Sequence, residues 1–141
     1  MSETLTFHYE ISADDFTRAG AASSSIKNKL KMLGVNNNAI RKVAVAMYEG
    51  EINMVIHAHG GDITATIVDD AIVMVLADKG PGIPDIPKAM EAGYSTAPDE
   101  IRSLGFGAGM GLPNMKRNSD EMDIQTELGV GTTVTMKVFL T

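Results

Sequence analysis

Glu49 and Asn53 stand four residues apart in a stretch, Val43 to Ile56, that is otherwise apolar around most of a helical circumference. At that spacing two side chains share one face of a helix. Buried carboxylates and amides are costly unless paired, so a buried helix carrying both needs a reason for them. Asn53 offers a neutral oxygen of the kind that suits Mg²⁺, which keeps several waters and takes few protein ligands. Glu49, one turn earlier, is placed to take a proton from an attacking hydroxyl or water. The same pair also suits plain capping or bridging of neighbouring elements. Glu51 is expected on a solvated face or in a salt bridge. His57 continues the face of Glu49 and Asn53, but His57 and His59 are two apart and point to different faces, so they form no helix-borne metal pair.

Two further clusters follow. Asp78-Lys79-Gly80-Pro81-Gly82 comes directly after an apolar run. Pro81-Gly82 suits the centre of a type II turn, and its glycines let a flat ligand approach the backbone. An aspartate at a strand end can accept a hydrogen bond from an exocyclic amino group such as that of adenine; an ordinary turn would look the same. Gly105-Phe106-Gly107-Ala108-Gly109-Met110-Gly111-Leu112 is a glycine ladder opening onto a helix. Exposed backbone N–H groups beside a helix start favour phosphate. It lacks the strand and βαβ context of a Rossmann turn, and it does not match a P-loop. Glycines alone are equally compatible with a flexible loop.

The elements that must hold these clusters are readable from periodicity. Residues 4–11 alternate as a strand. Ser12 and Asp14 offer caps to a helix whose buried stripe is Phe16, Ala19, Ala22, Ile26, Leu30 and Leu33, with Gly34 at its end. Asn36 to Asn38 are turn and cap residues for a second helix from about Ile40 to His57. Gly60-Gly61-Asp62 reads as a turn. Ile63–Val68 and Ile72–Ala77 then make a hairpin around Asp69-Asp70, the second strand apolar enough to be covered on both faces. Leu112–Asn118 forms a short helix, and Asp123–Glu127 and Thr132–Leu140 are strands joined through Gly129-Val130-Gly131. The order β-α-α-β-β-loop-α-β-β predicts an α+β fold, a two-layer sandwich with a mixed, mostly antiparallel sheet and its helices on one face.

Composition narrows the class. The 141 residues make one domain, 1–141, with 44% apolar and 21% charged residues and ten methionines filling where aromatics are few. There is no cysteine, which excludes disulfides and thiolate metal sites. A net charge of −6 without a basic stripe argues against a nucleic-acid partner. No apolar run approaches a membrane span and the N-terminus lacks a signal core, so no membrane association and a cytoplasmic location are expected.

The Glu/Asn helix, the D-x-G-x-G turn, the G-x-G-x-G-L ladder and a terminal Gly-Thr-Thr strand occur in that order. In this they resemble the GHKL (Bergerat-fold) ATPase superfamily of DNA gyrase, heat-shock protein 90, sensor histidine kinases and MutL, over roughly residues 35 to 140. Gly93-Tyr94-Ser95-Thr96, Gly111-Leu112-Pro113-Asn114-Met115-Lys116-Arg117 and Gly131-Thr132-Thr133-Val134-Thr135-Met136 look most like the anti-sigma-factor and stressosome serine/threonine kinases. The resemblance implies ATP and Mg²⁺ as cofactors. It implies Asn53 as the Mg²⁺ ligand, Glu49 as general base, and Asp78 as reader of the adenine amino group with Gly80 and Gly82 beside it. Gly107, Gly109, Gly111 and Leu112 would meet the phosphates beneath a lid of about 83–110, and Thr132 would hold the adenine end. Lys116 and Arg117 suit phosphate or partner binding, and equally a solvated face. Tyr48, where a small polar residue is usual, and Gly50, in mid-helix, depart from the pattern.

The activity so implied is ATP-dependent phosphorylation of a serine or threonine on a small protein partner. That partner would be an anti-sigma antagonist, with a sigma factor or a phosphatase as further binding partners and a homodimer left open. One alternative is a nucleotide-dependent binding switch without transfer. Another is an orphan histidine kinase catalytic domain, disfavoured because only eleven residues precede the first helix and His8 lies in a strand.

Overall fold

The computed structural model describes residues 4–12, 20–57, 60–80 and 111–141. Five strands form one sheet: β1 (Leu5–Ser12), β2 (Gly60–Val68), β3 (Ala71–Asp78), β4 (Glu121–Glu127) and β5 (Gly131–Phe139). Their spatial order is β1-β2-β3-β5-β4, and each neighbouring pair is antiparallel. The expected α+β sandwich is therefore present, with an antiparallel sheet in place of a mixed one. Among the described residues three helices accompany it: α1 (Ala21–Met32), α2 (Asn37–His57) and α3 (Gly111–Arg117). No helix of the described residues is long and apolar enough to cross a membrane.

Strand alternation builds the core in rows. Register aligns Phe7, Ala65, Met74, Met136 and Met122 across the sheet, and Tyr9, Ile63, Leu76, Val134 and Ile124 beside them. Against these rows pack Ala22, Ile26 and Leu30 of α1, Val43, Ala46, Met47 and Met54 of α2, and Met115 of α3. The period-2 and 3.6-residue patterns thus close on one another. On the opposite face of β3, Val73 and Val75 are only half-buried. The expectation that both faces of this strand are covered holds only in part, because on this face Ala71 is buried while Val73, Val75 and Ala77 stay half-buried.

Three local expectations are revised. The first concerns α1, which begins after Gly20, while Ser12 ends β1; Asp14, Phe16 and Ala19 lie outside the described residues. Leu33 is 51% exposed rather than part of the stripe. At the C-terminus of α1 the Gly34 N–H donates to the Lys31 carbonyl and the Val35 N–H to the Leu30 carbonyl. These bonds close the helix as a Schellman motif, with Gly34 at φ 77°. The second concerns α2, which starts at Asn37, three residues earlier than expected. Asn36 caps it by accepting the Ala39 N–H at 2.8 Å through Oδ1. The third concerns Gly60 and Gly61, which open β2 instead of forming a turn, because they pair with Ser12 and Ile11 of β1.

Gly50 explains its own place in mid-helix. A Cβ there would run into the Leu76 side chain of β3 and lie 3.3 Å from Met115 Sδ of α3. The helix can approach the sheet this closely only without a side chain, which offsets the conformational disadvantage of glycine. Gly50→Ala should therefore lower thermal stability by about 1–3 kcal/mol through overpacking, despite the better helix propensity of Ala. Adding Leu76→Val should recover part of the loss in a thermal melt; a stabilising single substitution would contradict the close packing.

Candidate functional site

Gly50 and Met54 of α2 fix where its polar residues sit. Gly50 abuts Leu76, and Met54 lies against Gly61, the strand partner of Asp78. The turn carrying Glu49 and Asn53 thus lies over the C-terminal end of β3. Glu49 is half-buried, and its Oε1 accepts a 3.1 Å hydrogen bond from Asn114 Nδ2 of α3. Oε2 has no partner among the described residues. Asn53 is half-buried, with no hydrogen bond from its amide among the described residues. An unpaired amide oxygen one turn from a half-satisfied carboxylate fits a Mg²⁺ that draws its other ligands from water and phosphate.

Asp78 is divided in the same way. Its Oδ1 accepts the Gly80 N–H at 2.9 Å and the Thr132 N–H at 3.0 Å. Oδ2 has no partner among the described residues and is free to accept from a ligand. Thr132 is buried, and its hydroxyl meets that of Thr126 at 2.9 Å. The contact between β5 and the end of β3 requires a glycine at 131: a Cβ there would strike the Asp78 carbonyl and lie 3.2 Å from Lys79 Cα. Thr132, 54 residues on in sequence, is therefore brought to Asp78 and Gly80 by the β3–β5 pairing. Leu112 is half-buried against the core and follows Gly111 at the start of α3. Gly82, Gly107, Gly109 and the whole of the expected lid, 83–110, lie outside the described residues.

Glu51 is a correction. It is 2% exposed and makes no salt bridge among the described residues. Its Oε2 accepts the N–H groups of Gly20 and Ala22 at 3.0 and 3.1 Å, and Oε1 accepts that of Ser23 at 3.1 Å. A carboxylate from α2 thus caps the first turn of α1, where the helix dipole favours negative charge. Three residues with roles were not identified from sequence: Glu51 as this cap, Asn114 as partner of Glu49, and Thr126 as partner of Thr132. Lys116 and Arg117 are exposed, and Arg117 Nη1 reaches Asn114 Oδ1 at 3.4 Å. His8, in β1, is exposed, with Nε2 3.1 Å from Asp62 Oδ1.

Residues 35–141 match the family described as histidine kinase-, DNA gyrase B-, and HSP90-like ATPase. The chain is 34% identical over 118 residues to the serine/threonine-protein kinase RsbT of Bacillus subtilis, covering 81% of this chain and 83% of that protein. It is 37% identical over 103 residues to an anti-sigma F factor of Clostridium acetobutylicum, covering 70% of this chain and 68% of that protein. Its fold is similar to a crystal structure of the RsbU and RsbW domains of a Mycobacterium tuberculosis protein, with a TM-score of 0.66 and 17% identity. That match covers 96% of this chain and 32% of the other, so this chain spans about a third of its length. The chain belongs to the histidine kinase-, DNA gyrase B- and HSP90-like ATPase family.

Glu51→Ala should destabilise the fold by on the order of 3 kcal/mol, since it removes the acceptor of three buried N–H groups. Urea denaturation reads the loss; an unchanged midpoint would show that the cap contributes nothing.

Proposed function

We propose that this chain is an ATP-dependent serine/threonine kinase of the anti-sigma type, which phosphorylates a hydroxyl on a small protein partner of the anti-sigma-antagonist kind. The observation that carries the reading is the pair on α2: Glu49 with one carboxylate oxygen held by Asn114 and Asn53 one turn on, where Glu49 Oε2 and the Asn53 amide have no partner among the described residues. Relatives named as a serine/threonine kinase and as anti-sigma factors support it. Sigma factors and a phosphatase are further partners of the kind this activity would serve, in a cytoplasmic setting.

In this reading Asp78 Oδ2 accepts a hydrogen bond from the adenine amino group, while Oδ1 stays committed to Gly80 and Thr132. Gly80 lets the base approach the backbone, as Gly82 would beside it. Gly107, Gly109, Gly111 and Leu112 would line the phosphates. Asn53 would hold Mg²⁺, which would supply charge neutralisation at the phosphates. Glu49 Oε2 takes the proton of the attacking hydroxyl as that oxygen bonds to the γ-phosphorus. The bond from the γ-phosphorus to the bridging oxygen breaks, and ADP leaves. Transfer of this kind asks for alignment, charge neutralisation and a proton acceptor.

Two substitutions separate binding from chemistry. Asp78→Asn should weaken Mg·ATP binding about tenfold or more in calorimetry, because an amide donates where the adenine amino group needs an acceptor. Glu49→Gln should leave that affinity within about twofold and cut phosphoryl transfer from labelled ATP by about a hundredfold or more, the usual contribution of a general base. Nucleotide-dependent binding to protein partners with no transfer by the wild type would favour a non-catalytic switch.

A further inference from the structure

Two carboxylates leave the same helix and are treated differently. Glu51 spends both oxygens on backbone N–H groups and is shut from solvent. Glu49 spends one, on the side chain of Asn114, and its other oxygen has no partner among the described residues. The pairing is set by the chain on either side: Gly50, next to Glu49, packs against Met115, next to Asn114. Met115 is 1% exposed, so the polar pair sits beside a buried apolar one and inherits its placement.

The orientation of the Asn114 amide is determined by its neighbours. An ionised carboxylate only accepts, so Nδ2 faces Glu49; Oδ1 then faces Arg117 Nη1, which only donates. The result is a chain Arg117–Asn114–Glu49 in which a neutral amide separates a cation from the carboxylate. An ion pair made directly with arginine would occupy both carboxylate oxygens in a bidentate fork. The amide engages one and leaves the other lone pairs to meet a proton.

We propose that Asn114 is a positioning residue for phosphoryl transfer: it holds Glu49 by Oε1 so that Oε2 faces the attacking hydroxyl. This rests on the reading of Glu49 as general base. Asn114 follows the glycine ladder by three residues, at the fourth position of α3, so the arrangement ties the base to the helix that the ladder opens.

The test is a double-mutant cycle on the full chain, with phosphate release from labelled Mg·ATP as the readout and water as acceptor. Asn114→Ala should lower kcat about tenfold, the weight of one hydrogen bond to a charged group, with KM for ATP within about twofold. Asn114→Asp, nearly isosteric but with an acceptor in place of the donor, should lower kcat further than Ala while its melting temperature stays closer to wild type. In the Glu49→Gln background Asn114→Ala should have no further effect. An unchanged kcat in Asn114→Ala, an Asp variant better than Ala, or an equal loss in both backgrounds would overturn the proposal. Unchanged release by Glu49→Gln alone would instead remove the general base, and the proposal with it.

Discussion

The contact of Gly50 with Leu76 and Met115 decides the geometry of this molecule. There α2 approaches β3 and α3 closely, which is possible because position 50 carries no side chain. Interiors are close-packed, so such a contact constrains the relative position of three elements. Residue 49 is thereby placed beside residue 114, and the following turn of α2 over the strand end that carries Asp78. Functional groups from three separate stretches of sequence converge as a result of one apolar contact.

Around that contact the polar groups fall into two kinds. Glu51 and Asp78 Oδ1 are structural: each closes the backbone of another element, one the start of α1, the other the junction of β3 with β5. Glu49 Oε2, Asp78 Oδ2 and the Asn53 amide have no partner among the described residues. Unpaired polar groups that are partly withdrawn from water are costly, and their persistence beside satisfied neighbours suits a ligand that pairs them. Asp78 divides one carboxylate between the two kinds, so the oxygen proposed to accept from adenine is oriented by the bonds of its twin.

Much of this was legible in the residues themselves. Alternation located the strands because one face of the sheet is buried, and the Glu49–Asn53 spacing located the shared face because α2 is regular. What could not be read arose from long-range partners. The cap of α1 comes from Glu51 on the next helix, so local rules looked for it at Ser12 and Asp14. Glu51 itself looked like a solvated residue between two candidates for chemistry. Gly60 and Gly61 resembled a turn because glycine is commonest there; in fact Gly61 pairs with Ile11 and Asp78 and packs against Met54, where a side chain would collide. Asn114 carried no local signal, because its partner is 65 residues away.

A crystal structure with Mg²⁺ and a non-hydrolysable ATP analogue tests the convergence most directly. The account predicts one nucleotide, its amino group on Asp78 Oδ2, with Mg²⁺ on Asn53 and Glu49 still joined to Asn114. A nucleotide bound elsewhere, with Asp78 and Asn53 both untouched, would contradict it.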